Sequence, residues 1–312
     1  MVVAGVFYAF YGVFIKFAGE CSISSWQILF YRSVFGMAFF YILMRSKGIR
    51  ITTRHPVEHI IRSLAGTGAI LAGIYSMIHL NLGLAMTLNF TAPLFLGVGV
   101  VSFSLFRHQS INWGLIASLV TGFLGVVILL GPTIGPHEYF AAGVGLFAGL
   151  CTATASGIVK RLGVMMEPEP RIIFYLVSMG AVAGTVGVIF TGGFTAWTWT
   201  SALYILALCL CANLGQLCLT RAFSRGNLVL SSSLQYSVIL FSTILGEILF
   251  SEPVTLPVVV GMLIIVASGI FASYLVRKIS IKRKAAASSA ASAVTGMKPT
   301  AGNSGSKDEP KK

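Results

Sequence analysis

Ten apolar runs, each long enough to cross a lipid bilayer as a helix, follow one another along this chain with short connections between them. The hydrocarbon core of a bilayer is about 30 Å thick, and about 20 helical residues cross it. The runs lie near residues 2–18, 25–44, 60–80, 84–106, 113–131, 139–159, 171–191, 200–220, 228–250 and 254–276. The pattern predicts an all-α integral membrane protein with ten transmembrane helices.

The composition excludes a water-soluble fold. Only 10% of the 312 residues are charged, whereas an ordinary soluble domain has roughly 25%. The net charge of +13 does not indicate nucleic-acid binding, because the basic residues stand in short clusters between apolar runs rather than on one face. The five cysteines follow no spacing typical of a disulfide framework or a zinc site. We therefore expect no nucleic-acid partner, metal or cofactor.

The lysines and arginines fall almost entirely in alternate connections and in the C-terminal tail. Short loops rich in these residues stay on the cytoplasmic side. The second, fourth, sixth and eighth connections carry Arg45, Lys47, Arg50, Arg54, Arg62, Arg107, Lys160, Arg161, Arg171, Arg221 and Arg225. This alternation predicts a multi-pass protein of the cell membrane, the inner membrane of a bacterium, with both termini cytoplasmic. Residues 277–312 are predicted to form a basic, disordered cytoplasmic tail.

The chain also repeats itself. A shift of 144 residues aligns Lys16 with Lys160, Gly36 with Gly180, and the Phe-Tyr step at 30–31 with that at 174–175. Each repeat holds five apolar runs, an odd number, so the second repeat must enter the membrane in the opposite orientation. We assign residues 1–136 to the first five-helix repeat and 137–276 to the second. Inverted repeats are a common plan of secondary transporters.

Four motifs at this repeat spacing resemble a known family. They are GVFIK at 12–16, FYRS at 30–33, TLNFTAPLF at 87–95 and SLQYSVILFSTILGEILFSEP at 233–253. Together they resemble the EamA-type families of the drug/metabolite transporter superfamily over about residues 1–276. The resemblance implies a central cavity lined mainly by helices 1, 3, 4, 6, 8 and 9, and alternating access or facilitated exchange. The first repeat departs from the pattern at Arg107-His108, where the second repeat has an acidic residue, Glu252.

Arg32 is the most notable candidate for substrate binding, because a charge inside an apolar run is costly and usually faces the bundle interior. Its repeat equivalent is Leu176. A binding or gating role would favour an anionic or zwitterionic substrate, and the alternative is an arginine that snorkels or pairs with Glu20 or a helix carbonyl. Lys16 could act similarly at the outer mouth or serve as an interface anchor.

Seven further side chains could meet a substrate from within the runs: Tyr8, Tyr11, Asn89, Asn213, Gln216, Gln235 and Tyr236. Asn89 and Gln235 lie two residues apart in repeat register, so they could bond one ligand from both halves. Hydrogen bonding between helices and simple aromatic packing are the alternatives. Pro93 could hinge the fourth helix or produce a static kink.

No carboxylate lies in the middle of a run, which disfavours the proton and cation exchange of the small multidrug-resistance relatives. The histidines are scattered over connections and run ends, so no catalytic residues are assigned and an enzyme is not expected. The sequence favours a secondary transporter or facilitator for a small polar metabolite. A membrane-embedded receptor, a scaffold and an enzyme without a recognisable catalytic cluster remain alternatives, as does assembly into a homodimer.

Overall fold

Every regular element in the described part of this protein is a helix. The structure, a computed structural model, describes residues 1–106, 113–130, 135, 138–196, 198–225, 231, 234–252 and 254–295. The helices in these ranges are α1 (Val2–Glu20), α2 (Ser25–Ser46), α3 (Pro56–His79), α4 (Leu82–Asn89), α5 (Ala92–Phe106), α6 (Trp113–Leu130), α7 (Tyr139–Val164), α8 (Glu169–Phe190), α9 (Trp199–Arg225), α10 (Ser237–Phe250) and α11 (Leu256–Thr295). The prediction of an all-α protein is confirmed for these residues.

Seven segments of the described chain are long and apolar enough to cross a membrane: α1, α2, α3, Leu82–Gly99, α7, α8 and α9. Three apolar helices are shorter, namely Trp113–Ile128, Ser237–Phe250 and Leu256–Ala272. The predicted count of ten spans therefore stays a prediction. Large apolar side chains such as Ile42, Leu64 and Ile248 are more than 60% exposed, which is favourable when lipid surrounds the bundle. The protein is a multi-pass membrane protein.

The fourth predicted span is broken in the middle. Helix α4 ends at Asn89 and α5 begins at Ala92, with Phe90 and Thr91 between them. Pro93 has no N–H group to donate to the carbonyl of Asn89, so a continuous helix would lack this hydrogen bond. The break lies at the position where the sequence predicts a hinge or a kink.

The last helix is longer than the sequence suggests. Residues 277–312 are expected to be a disordered tail, but α11 continues through 277–295 to Thr295. Three consecutive alanines, Ala285 to Ala287, lie in this extension, and alanine has the highest helix propensity of all residues. The disordered tail of 277–312 stays a prediction, and residues after Thr295 lie outside the described residues.

Helices of the first half pack mainly against helices of the second half. The principal neighbours are α2 with α8, α6 with α11, α3 with α7, and α1 with α9. A shift by one repeat converts α1 into α7, α2 into α8, α3 into α9 and α6 into α11. If each helix is replaced by its repeat equivalent, the α3–α7 pair becomes the α9–α1 pair. The α2–α8 and α6–α11 pairs stay the same.

Glycines allow the close approach of α2 and α8. A Cβ atom on Gly184 would lie 2.8 Å from the backbone nitrogen of Phe30, and one on Gly36 would lie 3.0 Å from Cγ1 of Val177. Gly36 and Gly180 are repeat equivalents, and a Cβ on Gly180 would meet the Ser33 hydroxyl. Small residues of this kind let helix backbones pack closely in membranes. This packing carries Arg32, on α2, into the interior.

Candidate functional site

A cavity of about 100 Å³ lies between the two halves of the chain. Its wall is formed by residues of α1, α2, α3, α4, α7, α8 and α9 together with Phe90 and Gln235. The polar and aromatic hydroxyl side chains on this wall are Tyr8, Tyr11, Arg32, Arg62, Asn89, Thr152, Ser156, Gln216, Thr220 and Gln235. Six of the nine substrate-binding residues expected from the sequence are in this set.

Arg32 is 2% exposed and projects from α2 toward α1. Its guanidinium carbon lies 5.1 Å from the centre of the Tyr11 ring, a cation–π distance. Its Nε atom has no hydrogen-bond partner, and no ion pair joins Arg32 to any carboxylate in the part of the chain that the structure describes. The alternative pairing with Glu20 is therefore absent, and Glu20 is exposed.

Arg62 is a cavity residue that the sequence analysis missed. It was assigned to a cytoplasmic connection, but α3 begins at Pro56, so Arg62 lies about 9 Å into this helix at about 1.5 Å per residue. It is 4% exposed, and its Nε and Nη1 atoms have no partner. Gly66, one turn later, makes room for the guanidinium, which a Cβ there would overlap. In the sequence, a basic residue near the start of an apolar run looks like one that lies in the cytoplasmic loop. The sequence therefore did not indicate that Arg62 faces the cavity.

The predicted amides from both halves line the same cavity. Asn89 reaches it from the end of α4, where its Nδ2 donates to the Ala85 carbonyl at 2.9 Å. Gln235 reaches it from the residues before α10, and its Nε2 has no hydrogen-bond partner. Both side chains are at most 7% exposed. Their shared role in holding a ligand stays a prediction.

A hydrogen bond across the cavity wall joins α1 to α9. The Tyr8 hydroxyl donates to Oε1 of Gln216 at 2.7 Å, and Nε2 of Gln216 lies 3.4 Å from the Thr220 hydroxyl. Tyr11 stands one turn from Tyr8, with its ring 6.0 Å away in an edge-on arrangement. These contacts hold the rings of Tyr8 and Tyr11 on the side of the cavity next to Arg32.

Three expected site residues are buried or paired away from the cavity wall. Asn213 donates to the carbonyl of Cys209 at 2.8 Å and to that of Arg32 at 3.4 Å, so it joins α9 to α2. Tyr236 is 4% exposed, and its hydroxyl lies against Gly269 without a hydrogen-bond partner. Lys16 forms an ion pair with Glu252. Asn213 therefore helps to hold the backbone that carries Arg32.

The Lys16–Glu252 pair forms a cluster at one end of α1. The ammonium of Lys16 lies 4.8 Å from the centre of the Phe250 ring. The second carboxylate oxygen of Glu252 accepts a hydrogen bond from the backbone nitrogen of Leu82 at 2.8 Å. One carboxylate thus joins α1, the start of α4 and the segment after α10.

A second cluster, centred on Glu167, lies beside the start of α3, whereas the Lys16–Glu252 cluster lies near the end of that helix. Its carboxylate accepts hydrogen bonds from the Thr53 hydroxyl at 2.7 Å and from Arg171 Nη1 at 2.8 Å, and His59 Nε2 lies 3.8 Å away. Burial alone would raise the pKa of Glu167, but these hydrogen bonds and the charges of Arg171 and His59 outweigh it and hold the pKa below its ordinary value.

Two further ion pairs lie at this end, Arg225 with Glu169 and Arg161 with Glu58. Arginines that the sequence analysis used as topology signals therefore also join helices, here α9 to α8 and α7 to α3. Among the described residues, no group of three or more His, Cys, Asp and Glu side chains is arranged to hold a metal ion.

Comparison with known proteins adds three findings. Residues 1–131 match the EamA-like transporter family. Two relatives from two strains of Pseudomonas aeruginosa, each named pseudopaline exporter CntI, are 27% identical over 243 residues, which cover 77% of this chain and 84% of each relative. A solved crystal structure aligns over 89% of this chain and 97% of its own, with a TM-score of 0.63 and 14% identity. The likeness to that structure concerns the fold alone.

Proposed function

We propose that this protein, which is an EamA-type transporter of the drug/metabolite transporter superfamily and not an enzyme, exports a small anionic or zwitterionic metabolite by alternating access. One observation carries the proposal. Two buried guanidinium groups, those of Arg32 and Arg62, line a cavity between the two halves, and the described part of its wall includes no carboxylate. A cavity of this charge favours ligands with a negative group.

Ten spans in two inverted repeats, 1–136 and 137–276, are the topology that we propose. The pairing of helices supports it, because exchange of the halves leaves the principal contacts unchanged. The alternation of basic residues supports an orientation with both termini in the cytoplasm, in the inner membrane of a bacterium. Arg62 no longer counts toward this alternation, but the same connection keeps Arg45, Lys47, Arg50 and Arg54.

In this mechanism the substrate binds near the middle of the membrane, and the two halves move about it. Arg32 and Arg62 bind the acidic group, while Asn89 and Gln235 contact the ligand from opposite halves. The Lys16–Glu252 cluster joins α1 to the end of α10, so it holds these helices together when the cavity is closed at that end. When the cavity opens at that end, the Lys16–Glu252 ion pair would break and its side chains would form other contacts, as in transporters whose halves rock against each other.

Export is the proposed direction, because both relatives are named as exporters. Proton coupling through a carboxylate is not part of the proposal. The described cavity wall has no acidic side chain to carry a proton, so we expect flux to depend weakly on a pH gradient.

Counterflow in proteoliposomes tests the proposal. Vesicles preloaded with a mixture of organic acids and amino acids should take up a labelled member of the mixture, and Arg32→Gln should strongly reduce this uptake at low substrate concentration. Arg277→Gln is the matched control, since Arg277 is exposed on α11 and its loss should leave uptake unchanged. Cation efflux that collapses with the pH gradient and survives Arg32→Ala would refute the proposal.

A further inference from the structure

We infer that the cavity selects ligands with two negative charges, either two carboxylates or one phosphate monoester, which Arg32 and Arg62 bind together. The inference deepens the proposed function and rests on the cavity being the transport site. A zwitterion or a monoanion would neutralise only one of the two guanidinium groups. Their pairing in one cavity therefore narrows the substrate class beyond what Arg32 indicates by itself.

The first argument is the charge balance of the cavity. Arg32 and Arg62 are 2% and 4% exposed, and arginine stays protonated at all physiological pH values. Burying a charge is strongly unfavourable unless an opposite charge or a set of hydrogen bonds compensates it. Within the described residues, neither arginine forms an ion pair with a carboxylate. A dianionic ligand supplies the two missing charges.

The second argument is the set of hydrogen-bonding atoms. Four nitrogen donors of cavity residues have no partner: Nε of Arg32, Nε and Nη1 of Arg62, and Nε2 of Gln235. Buried donors in folded proteins are nearly always satisfied. Donors without a protein partner favour a ligand rich in acceptor oxygens, and carboxylates and phosphates bind guanidinium groups with charge-assisted hydrogen bonds.

The third argument is that neighbouring residues hold both arginines in place without a described ion-pair partner. The Tyr11 ring faces the Arg32 guanidinium, and Asn213 holds the Arg32 backbone. Gly66 leaves the space that the Arg62 guanidinium occupies, and Leu176 lies beside it. Aromatic, aliphatic and glycine neighbours position the side chains, and Nε of Arg32 and both Nε and Nη1 of Arg62 stay without a partner.

The size of the cavity restricts the ligand further. Its volume of about 100 Å³ is below the roughly 300–1,000 Å³ typical of drug-sized pockets. A compact dianion fits this conformation, and a larger one requires the halves to separate. We therefore choose short probes for the test.

Thermal stabilisation and calorimetry of the purified protein test the inference. The probes are succinate and methyl phosphate as dianions, butyrate as a monoanion and β-alanine as a zwitterion, at one pH of 7.5 and constant ionic strength. We expect both dianions, or one of them, to bind at least tenfold more tightly than butyrate and β-alanine. The stronger of the two identifies carboxylates or a phosphate as the recognised group.

Variants then assign the preference to the two arginines. Arg32→Gln and Arg62→Gln should each reduce the preference for the dianion to less than threefold. Gly66→Ala keeps both charges but displaces the Arg62 guanidinium, so it should weaken dianion binding, and Arg277→Gln should not. Arg62→Lys keeps a cation without the planar fork and provides a second measurement if Arg62→Gln does not fold. Equal binding of butyrate and succinate by the unaltered protein would overturn the inference.

Vesicle transport separates this inference from the proposed function. Uptake of β-alanine that requires Arg32 but not Arg62 would overturn the dianion inference and leave the proposed function standing. Tight, Arg62-dependent binding of a dianion that never crosses the vesicle membrane would support the inference and refute transport through this cavity.

Discussion

Charged side chains at both ends of the helix bundle form ion pairs, whereas the two arginines of the central cavity form none with the described residues. Lys16 pairs with Glu252 at one end, and Arg171 pairs with Glu167 at the other. Arg32 and Arg62 are buried at least as deeply, yet neither forms an ion pair with a described carboxylate. The ion pairs at the ends join helices to one another, and we expect the two arginines in the middle to remain available to a ligand.

Loss of the Lys16–Glu252 ion pair should have the largest effect on the stability of the protein. Glu252→Gln leaves the Lys16 ammonium, 16% exposed, without its counter-ion and weakens the bond to Leu82. Removing one partner of a buried ion pair costs about 3 kcal/mol or more. We expect a clearly lower melting temperature in thermal denaturation in detergent. Glu247→Gln, at an exposed position of α10, the helix that precedes Glu252, should leave the melting temperature unchanged, and equal effects of the two variants would contradict the pairing.

The next effect concerns the ligand. Arg32→Gln removes a charge-assisted interaction with the proposed substrate, and such interactions contribute about 1.5–3 kcal/mol. We expect a loss of roughly 10- to 100-fold in apparent affinity, measured by counterflow with a ligand found by stabilisation screening. Unchanged affinity would show that Arg32 is structural rather than a ligand-binding residue.

Loss of an arginine without an ion-pair partner should have a smaller effect on stability, in the direction opposite to that of Glu252→Gln. Arg62→Gln removes a buried cation that has no described carboxylate partner, so in the absence of ligand it should stabilise the protein by about 1 kcal/mol, the usual size of a point-mutation effect. The measurement is the melting temperature without ligand, alongside that of Glu252→Gln. A marked fall for Arg62→Gln would mean that the arginine already has a structural partner.

The smallest effect is a pH dependence at Glu167. Because its pKa is lowered in the folded protein, its stabilisation is present above the unfolded pKa and is lost as the pH falls through the folded one. We expect Glu167→Gln to reduce stability at pH 7 by about 1 kcal/mol and to reduce the loss of stability on acidification below pH 5. Glu58→Gln is the control, since its partner Arg161 is 66% exposed. Parallel pH profiles of the unaltered protein and Glu167→Gln would contradict this assignment.

The site was predictable in part. Arg32 stands out because a charge within an apolar run is costly wherever the helix faces, and Asn89 and Gln235 stand out by their repeat register. Arg62 escaped notice because a basic residue near the start of a run looks the same whether it faces the loop or the cavity. The Lys16–Glu252 pair joins residues 236 positions apart, and no local pattern links them.

The sequence by itself determined that this protein is a helical membrane protein, and it predicts two related halves. The lengths of the apolar runs, the alternation of basic residues and the internal repeat can all be found without knowing which helices touch. This is because the free energy of placing a segment in lipid depends mainly on that segment's own residues. Which polar side chains meet was decided by tertiary structure. The rotation of each helix depends on close contacts such as those of Gly36 and Gly184 on α2 and α8, and that rotation turns Arg32 into a cavity shared with Arg62.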